Sequence, residues 1–209
     1  MSELSSRAFF IGGATCSGKT LLADLLGERY GLSVYHLDKH TQGMQARADE
    51  VAHPAICAMR GLADSEWFIE SPDTLLVKTL ATEREYAEMA FVEMAEIDGE
   101  LIADGVDFHP GLLAEEGLDP SRAVFLVATP EFRESTYVRT RPWRQKILDA
   151  HADPDAAWAI WMEKDRLEGE WIAEQAVMHS MPVITIDGSV TVEVVKDRVA
   201  ELLGLDAAA

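Results

Sequence analysis

The chain has 209 residues, of which 48% are hydrophobic and 26% are charged, and these values indicate one folded domain rather than a disordered segment. Its formal net charge is -19, and a surface this acidic repels nucleic acid phosphates and anionic lipids, so we expect neither nucleic acid nor a membrane as a partner. The two cysteines, Cys16 and Cys57, form no disulfide framework, which predicts a reducing, cytoplasmic compartment.

An apolar run followed by a glycine-rich loop opens the chain. Residues 7–11 predict a buried strand, and residues 18–30 predict a helix with an inward stripe of leucines. Between them, residues 13–20 fit the pattern G-x-x-x-x-G-K-[ST], in which backbone N–H groups at a helix N-terminus bind phosphate oxygens. Lys19 adds a positive charge and Thr20 a hydroxyl ligand for Mg²⁺. The residues predicted to bind ATP are Gly13, Ala14, Thr15, Cys16, Ser17, Gly18, Lys19 and Thr20.

Residues 32–37 predict a second short strand that ends at Asp38. The order strand, loop, helix, strand predicts a right-handed βαβ unit, whose ligands bind at the carboxyl ends of the strands. There Asp38 is a candidate catalytic base, because a carboxylate can take the proton of a hydroxyl that attacks the γ-phosphate. The alternative interpretation is that Asp38 is a turn residue or a helix cap.

A third apolar strand, at residues 101–105, contains a second acid near its end. Asp104 would lie beside the phosphate loop, where it could hold Mg²⁺ together with Thr20. The alternative is that Asp104 and Gly105 simply form a turn. Asp107 and His109 follow closely and are further candidates for contact with an acceptor or a metal.

Four arginines fall within twelve positions after a fourth strand at residues 124–128, and they are Arg133, Arg139, Arg141 and Arg144. Guanidinium groups neutralise the charge that spreads over a transferring phosphoryl group. We therefore assign Arg139 and Arg144 to catalysis and Arg133 to nucleotide binding. The alternative is a solvated helix face paired with acids such as Glu131 and Glu134.

The remaining pattern completes an α/β chain. A long helix is predicted from residue 153, and we assign its tryptophans to packing; they are Trp158, Trp161 and Trp171. A fifth strand at residues 182–187 and a last helix follow. Five strands that alternate with helices predict a three-layer α/β/α sandwich.

Two classes of nucleotide-binding protein are excluded by the sequence. The chain contains no asparagine, so it lacks the Asn-Lys-x-Asp element with which GTPases recognise guanine. It is also too short to hold the phosphate-loop core and the helical lid domain of large ring ATPases. A compact kinase fits best.

The phosphate loop, Asp38, the pair Asp104-Gly105 and the arginine-rich region resemble the small P-loop kinases, a superfamily that includes adenylate, uridine, shikimate and gluconate kinases and chloramphenicol phosphotransferase. The resemblance implies a single P-loop kinase domain over residues 1–209, with a parallel five-stranded sheet in the order 2-3-1-4-5. It further implies a helical acceptor-binding insert at about 39–100 and a lid at about 130–150. By the same resemblance, Asp187 and its neighbours would contact adenine, largely through the backbone.

These features predict a kinase that uses ATP and Mg²⁺ to phosphorylate a hydroxyl group of a small molecule. One alternative is a nucleoside monophosphate kinase, which would need Arg47 and Arg60 of the insert to grip the acceptor phosphate. Another is a non-catalytic ATP-binding regulator, in which Asp38 would be dispensable. No pattern in the sequence names the acceptor or an oligomeric state.

Overall fold

The computed structural model describes residues 3–207, and its centre is one parallel sheet. The five strands are β1 (Ala8–Gly13), β2 (Ser33–His36), β3 (Leu101–Asp104), β4 (Ala123–Ala128) and β5 (Val183–Ile186). Their order across the sheet is β2-β3-β1-β4-β5, and every neighbouring pair is parallel. Both features confirm the expected P-loop kinase topology.

Helices cover the sheet and extend beyond it. The α-helices are α1 (Glu3–Arg7), α2 (Lys19–Tyr30), α3 (Leu37–Arg47), α4 (Pro54–Arg60), α5 (Pro72–Ala95), α6 (Pro110–Glu115), α7 (Pro130–Thr140), α8 (Arg144–Asp149), α9 (Pro154–Met178) and α10 (Val192–Leu202). Within residues 3–207, none of these helices combines the length and apolar character needed to cross a membrane.

Side chains of β1 alternate between the two faces of the sheet, and helices pack on both faces to give three layers. Ala8 and Phe10 point to one face of the sheet and join an apolar cluster with residues of α5 and α9. Phe9 and Ile11 point to the other face, where α2 and α10 cover them. Because all four side chains are almost completely buried, both faces of the central strand contribute to the core.

The two ranges that the resemblance assigns to an acceptor-binding insert and to a lid are helical, and we call them the insert and the lid. The insert contains α3, α4 and α5, and Ser71 caps the start of α5, since its hydroxyl accepts a hydrogen bond from the Thr74 N–H at 3.3 Å. The lid contains α7 and α8, which pack on α9 through an aromatic cluster. In that cluster Trp161 stacks on Phe68 with ring centroids 4.3 Å apart, and Trp158 packs edge-on against Trp161, so both tryptophans serve packing.

The second strand is shorter than the sequence predicts. It ends at His36, and α3 begins at Leu37 without an intervening loop. Leu37 is completely buried in the core, so burial of this side chain anchors the first turn of α3 against the sheet. Asp38 therefore lies in the first turn of a helix, directly beyond the carboxyl end of β2.

Candidate active site

The phosphate loop connects β1 to α2 and is tied to the neighbouring strand. The N–H of Ala14 donates to the carbonyl of Leu126 on β4 over 2.9 Å. Gly13 has a φ of +118°, and a Cβ at this position would lie 2.1 Å from the Leu126 oxygen, so only glycine fits. Gly18, with a φ of +91°, turns the chain into α2. The loop thus has the fixed curvature that a phosphate-binding loop requires.

Lys19 lies in the first turn of α2 and is only 9% exposed. Its Nζ donates to the carbonyl oxygen of Ala14 over 2.7 Å. Burial lowers the pKa of the Lys19 ammonium, and the nearby carboxylates of Asp38 and Asp104 act in the opposite direction. Lys19 is therefore a buried amine between the loop carbonyls and two acids.

Asp104 lies at the end of β3 and connects three elements of the site. Its Oδ2 accepts a hydrogen bond from Thr20 Oγ1 over 2.7 Å, and its Oδ1 contacts Nδ1 of His36. The carboxylate is 4% exposed. In the sheet register Asp104 lies between Ile11 of β1 and His36 of β2, which explains why residues distant in sequence meet here.

The pair of Thr20 and Asp104 offers two hard oxygen ligands beside the phosphate loop, and this donor set suits Mg²⁺. In the part of the chain that the structure describes, no group of three or more His, Cys, Asp or Glu side chains could hold a metal ion. Magnesium typically binds one or two protein ligands and completes its shell with water and substrate phosphates. The residues present therefore fit an ion that arrives with a nucleotide.

A cavity of about 860 Å³ opens above the phosphate loop. Its walls come from the loop, the first turn of α3, the end of β3, the helix α7 and the segment between β5 and α10. The charged and polar candidates among the lining residues, with one glycine, are Lys19, Thr20, Asp38, Asp104, Arg139, Arg141 and Gly188. The volume is within the range of sites for nucleotide-sized ligands. The structure therefore brings both candidate acids and two of the four arginines to one cavity.

The four arginines separate into two pairs. Arg139 and Arg141 line the cavity, and Arg141 also lies over the ring of Tyr137 at 5.4 Å. Arg133 is 2% exposed and donates from NH2 to the carbonyl of Ala128 at 3.1 Å, while Arg144 lies over Trp158 at 5.6 Å. Neither Arg133 nor Arg144 lines the cavity, in contrast to the expectation from sequence, because Arg133 packs against the end of β4 and Arg144 packs on Trp158 of α9.

The segment after β5 approaches the cavity with its backbone. The Asp187 carboxylate accepts hydrogen bonds from the N–H and the hydroxyl of Ser189, at 2.8 and 2.6 Å, and so closes a turn. These bonds lower the pKa of Asp187. Gly188, the next residue, lines the cavity instead. The Asp187 side chain thus shapes the loop, and the backbone beside it faces the cavity.

A buried polar cluster lies between α5, α9 and the segment after β3, and of its members only Asp107 and His109 were candidates from the sequence. Nε2 of His109 lies 2.9 Å from Oε2 of Glu83, and Nζ of Lys164 lies 3.3 Å from Oε2 of Glu168. Burial raises the pKa of Glu83, raises that of Asp107 to about 8 and lowers that of His109 to about 4. The charge of Asp38 also contributes to the Asp107 shift, so this cluster adjoins the cavity electrostatically.

One signal in the sequence could have revealed part of this cluster. On α9, Trp161, Asp165, Glu168 and Ile172 follow the spacing of one helix face, and all four are at least 95% buried. Acids that share a stripe with core residues are rarely buried without a partner or a function.

Comparison with known proteins supports the fold. A shikimate kinase from Bacteroides thetaiotaomicron superposes with a TM-score of 0.56 and 16% identity, over 95% of this chain and 98% of that chain. A shikimate kinase from Acinetobacter baumannii, in complex with shikimate, gives a TM-score of 0.53 and 16% identity, over 97% and 93% of the two chains. No protein-family model and no curated protein matches the sequence. The chain therefore has the fold of the small P-loop kinases.

Proposed function

We propose that this protein is a kinase that transfers the γ-phosphate of ATP to a hydroxyl group of a small molecule. The observation that supports this most strongly is the convergence at one cavity of the phosphate loop, the Thr20–Asp104 pair, Asp38 and Arg139. A protein that only bound nucleotide would need neither Asp38 beyond the end of β2 nor Arg139 on the lid.

In this mechanism the loop amides and Lys19 hold the phosphates. Lys19, whose Nζ donates to a loop carbonyl, needs only a side-chain rotation to donate to a phosphate oxygen instead. Thr20 and Asp104 would hold Mg²⁺, which neutralises charge on the β- and γ-phosphates when bound. These residues fix the γ-phosphate at the mouth of the loop, where an acceptor can approach in line.

Asp38 is the residue that we assign to the acceptor. It is exposed, lines the cavity and lies on the side of the insert. A carboxylate there can accept a hydrogen bond from the attacking hydroxyl, orient it and receive its proton as the new P–O bond forms.

Arg139 is the lid arginine that we assign to the transferring group, with Arg141 beside it. Both line the same cavity as the phosphate loop, where guanidinium groups can neutralise the charge on the equatorial oxygens. We assign Arg133 and Arg144 to the attachment of the lid instead, because they contact the end of β4 and Trp158 of α9.

The partners of the insert arginines favour a hydroxyl acceptor over a nucleoside monophosphate. Arg47 pairs with Glu93, and Arg60 donates to the carbonyls of Gln45 and Ala48. The third insert arginine, Arg84, pairs with two glutamates. An acceptor phosphate would have to compete with these partners for every guanidinium of the insert. One similar structure is a complex with shikimate, which is consistent with a small-molecule acceptor.

Two variants test this proposal against a non-catalytic regulator. Asp38→Ala should retain ATP binding but lose ADP release in the presence of a metabolite panel, by about 10²-fold or more. Lys19→Ala should impair both ATP binding and ADP release. Normal turnover by Asp38→Ala would contradict the assignment of Asp38, and ATP binding without any ADP release by the wild-type protein would favour the regulator.

A further inference from the structure

His36 is the last residue of β2 and is 7% exposed, and no step of the proposed reaction uses it. In the parallel register it lies directly opposite Asp104 of β3. Paired residues of neighbouring strands direct their side chains to the same face of a sheet, so the imidazole meets the Asp104 carboxylate.

The two ring nitrogens of His36 contact carboxylates on different elements. Nδ1 lies against Oδ1 of Asp104, and Nε2 lies 3.0 Å from Oδ1 of Asp24. Asp24 is on α2, four residues after Thr20, and therefore on the same face of that helix. The imidazole thus connects the helix that follows the phosphate loop with the strand that carries the second magnesium ligand.

Because of these contacts, only Oδ2 of Asp104 faces the phosphate loop. Oδ1 is occupied by His36, whereas Oδ2 accepts the hydrogen bond from Thr20 at 2.7 Å. Because a carboxylate can only accept, the proton between His36 and Asp104 belongs to Nδ1. Without this donor the carboxylate could rotate about its terminal bond, which has a broad torsional preference, and present either oxygen or neither.

We propose that His36 is the positioning residue for magnesium, and that it holds the Asp104 carboxylate so that Oδ2 faces Thr20 and the nucleotide phosphates. This inference rests on the proposed function, because it assumes that Thr20 and Asp104 hold the ion. Partners that orient a ligating carboxylate commonly contribute ten- to a hundredfold to metal affinity. His36 would act through Asp104 and would not touch ATP.

The test compares ATP affinity in excess Mg²⁺ with ATP affinity in EDTA, measured by calorimetry on the full-length protein. In wild-type protein Mg²⁺ should strengthen ATP binding. His36→Ala should reduce that magnesium-dependent gain by about 10- to 100-fold and leave the affinity in EDTA within about twofold of the wild-type value.

Two further variants separate positioning from a general structural role. His36→Asn places an amide donor near the position of Nδ1, so it should retain most of the magnesium-dependent gain that His36→Ala loses, although the contact with Asp24 is removed. Asp24→Asn removes only the outer carboxylate and should have a smaller effect than His36→Ala, since the Asp24 side chain is 58% exposed. Thermal unfolding verifies that each variant is folded.

Three outcomes would overturn the inference. The first is an unchanged magnesium-dependent gain in a folded His36→Ala variant, and the second is an equal loss of ATP affinity with and without Mg²⁺. The third is a failure of His36→Asn to restore any gain. A wild-type protein that bound no ATP would contradict the proposed function itself. The three outcomes above leave ATP binding by the wild-type protein intact, so they contradict only the role of His36.

Discussion

Thr20 and Asp104 are 84 positions apart in the sequence, yet Thr20 Oγ1 donates to Asp104 Oδ2 over 2.7 Å. The contact exists because β1, which leads into the phosphate loop, lies beside β3 in the sheet. The first turn of α2 and the end of β3 therefore meet at one point. This relationship underlies the proposed magnesium site and leads to the first prediction.

Thr20→Val removes the hydroxyl and retains the shape of the side chain. We expect the Mg²⁺ concentration for half-maximal ADP release to rise by about tenfold or more, which corresponds to ~1.4 kcal/mol of binding free energy. Thr20→Ser retains the hydroxyl and should stay near the wild-type value. A magnesium titration of both variants checks this, and equal curves for the two would argue against Thr20 as a ligand.

The lid arginines should differ in their effects on catalysis. Arg139→Ala removes a cation that lines the cavity, and we expect ADP release to fall by about 10²- to 10³-fold. Arg144→Ala is the matched control, because Arg144 packs on Trp158 and does not line the cavity. Steady-state kinetics on folded variants measure both effects. A greater loss of activity for Arg144→Ala would reverse the assignment.

Gly13 should tolerate no side chain. Gly13→Ala would place a Cβ 2.1 Å from the Leu126 oxygen at a φ of +118°, so we expect the free energy of unfolding to fall by about 2–4 kcal/mol and ATP binding to be lost. Gly61→Ala is the control, since no atom lies within 4 Å of its Cβ position and its φ is -94°. Urea unfolding compares them, and similar stabilities would show that the loop can rearrange.

Asp107 should make the protein less stable at high pH. Its pKa is raised by burial from 3.8 to about 8, so between these values the native protein keeps a proton that the unfolded chain has released. The free energy of unfolding therefore falls as the pH rises from about 4 to about 8. Asp107→Asn removes this contribution, and we expect it to be more stable than wild type at pH 9 by on the order of 2 kcal/mol.

Urea unfolding at pH 5 and pH 9 measures this difference. Glu83, whose pKa is also raised by burial, should maintain a residual slope of the same sign in the variant. The control is Asp119→Asn, because Asp119 is exposed and its pKa is lowered by hydrogen bonds from Ser121. An Asp107→Asn variant with the wild-type pH dependence would exclude Asp107 as the source.

The phosphate loop and the strands could be predicted from the sequence, because each is encoded within one short stretch of the chain. The motif at residues 13–20 fixes a loop between a strand and a helix, and the apolar runs identify the five strands. The sequence also predicts that Asp104 lies beside Thr20, since this follows from the strand order that the resemblance implies.

The remaining features depend on tertiary packing that no local pattern records. Arg133 and Arg139 both lie on α7, yet Arg133 is buried away from the cavity whereas Arg139 lines it, and only the packing of the lid distinguishes them. His36 resembles any histidine at a strand end until the register places it opposite Asp104. Glu168 shares a stripe with core residues of α9, but that stripe does not reveal which buried partners it meets.

Phosphorus NMR of the product formed from ATP tests most directly whether this protein phosphorylates a hydroxyl group. The protein is incubated with Mg²⁺, ATP and a panel that contains both hydroxylated metabolites and nucleoside monophosphates. We predict a new phosphate monoester resonance in equal amount to ADP, which disappears with Asp38→Ala. A new phosphoanhydride resonance other than those of ATP and ADP, or the absence of any phosphorylated product besides ADP and inorganic phosphate, would contradict the proposed function.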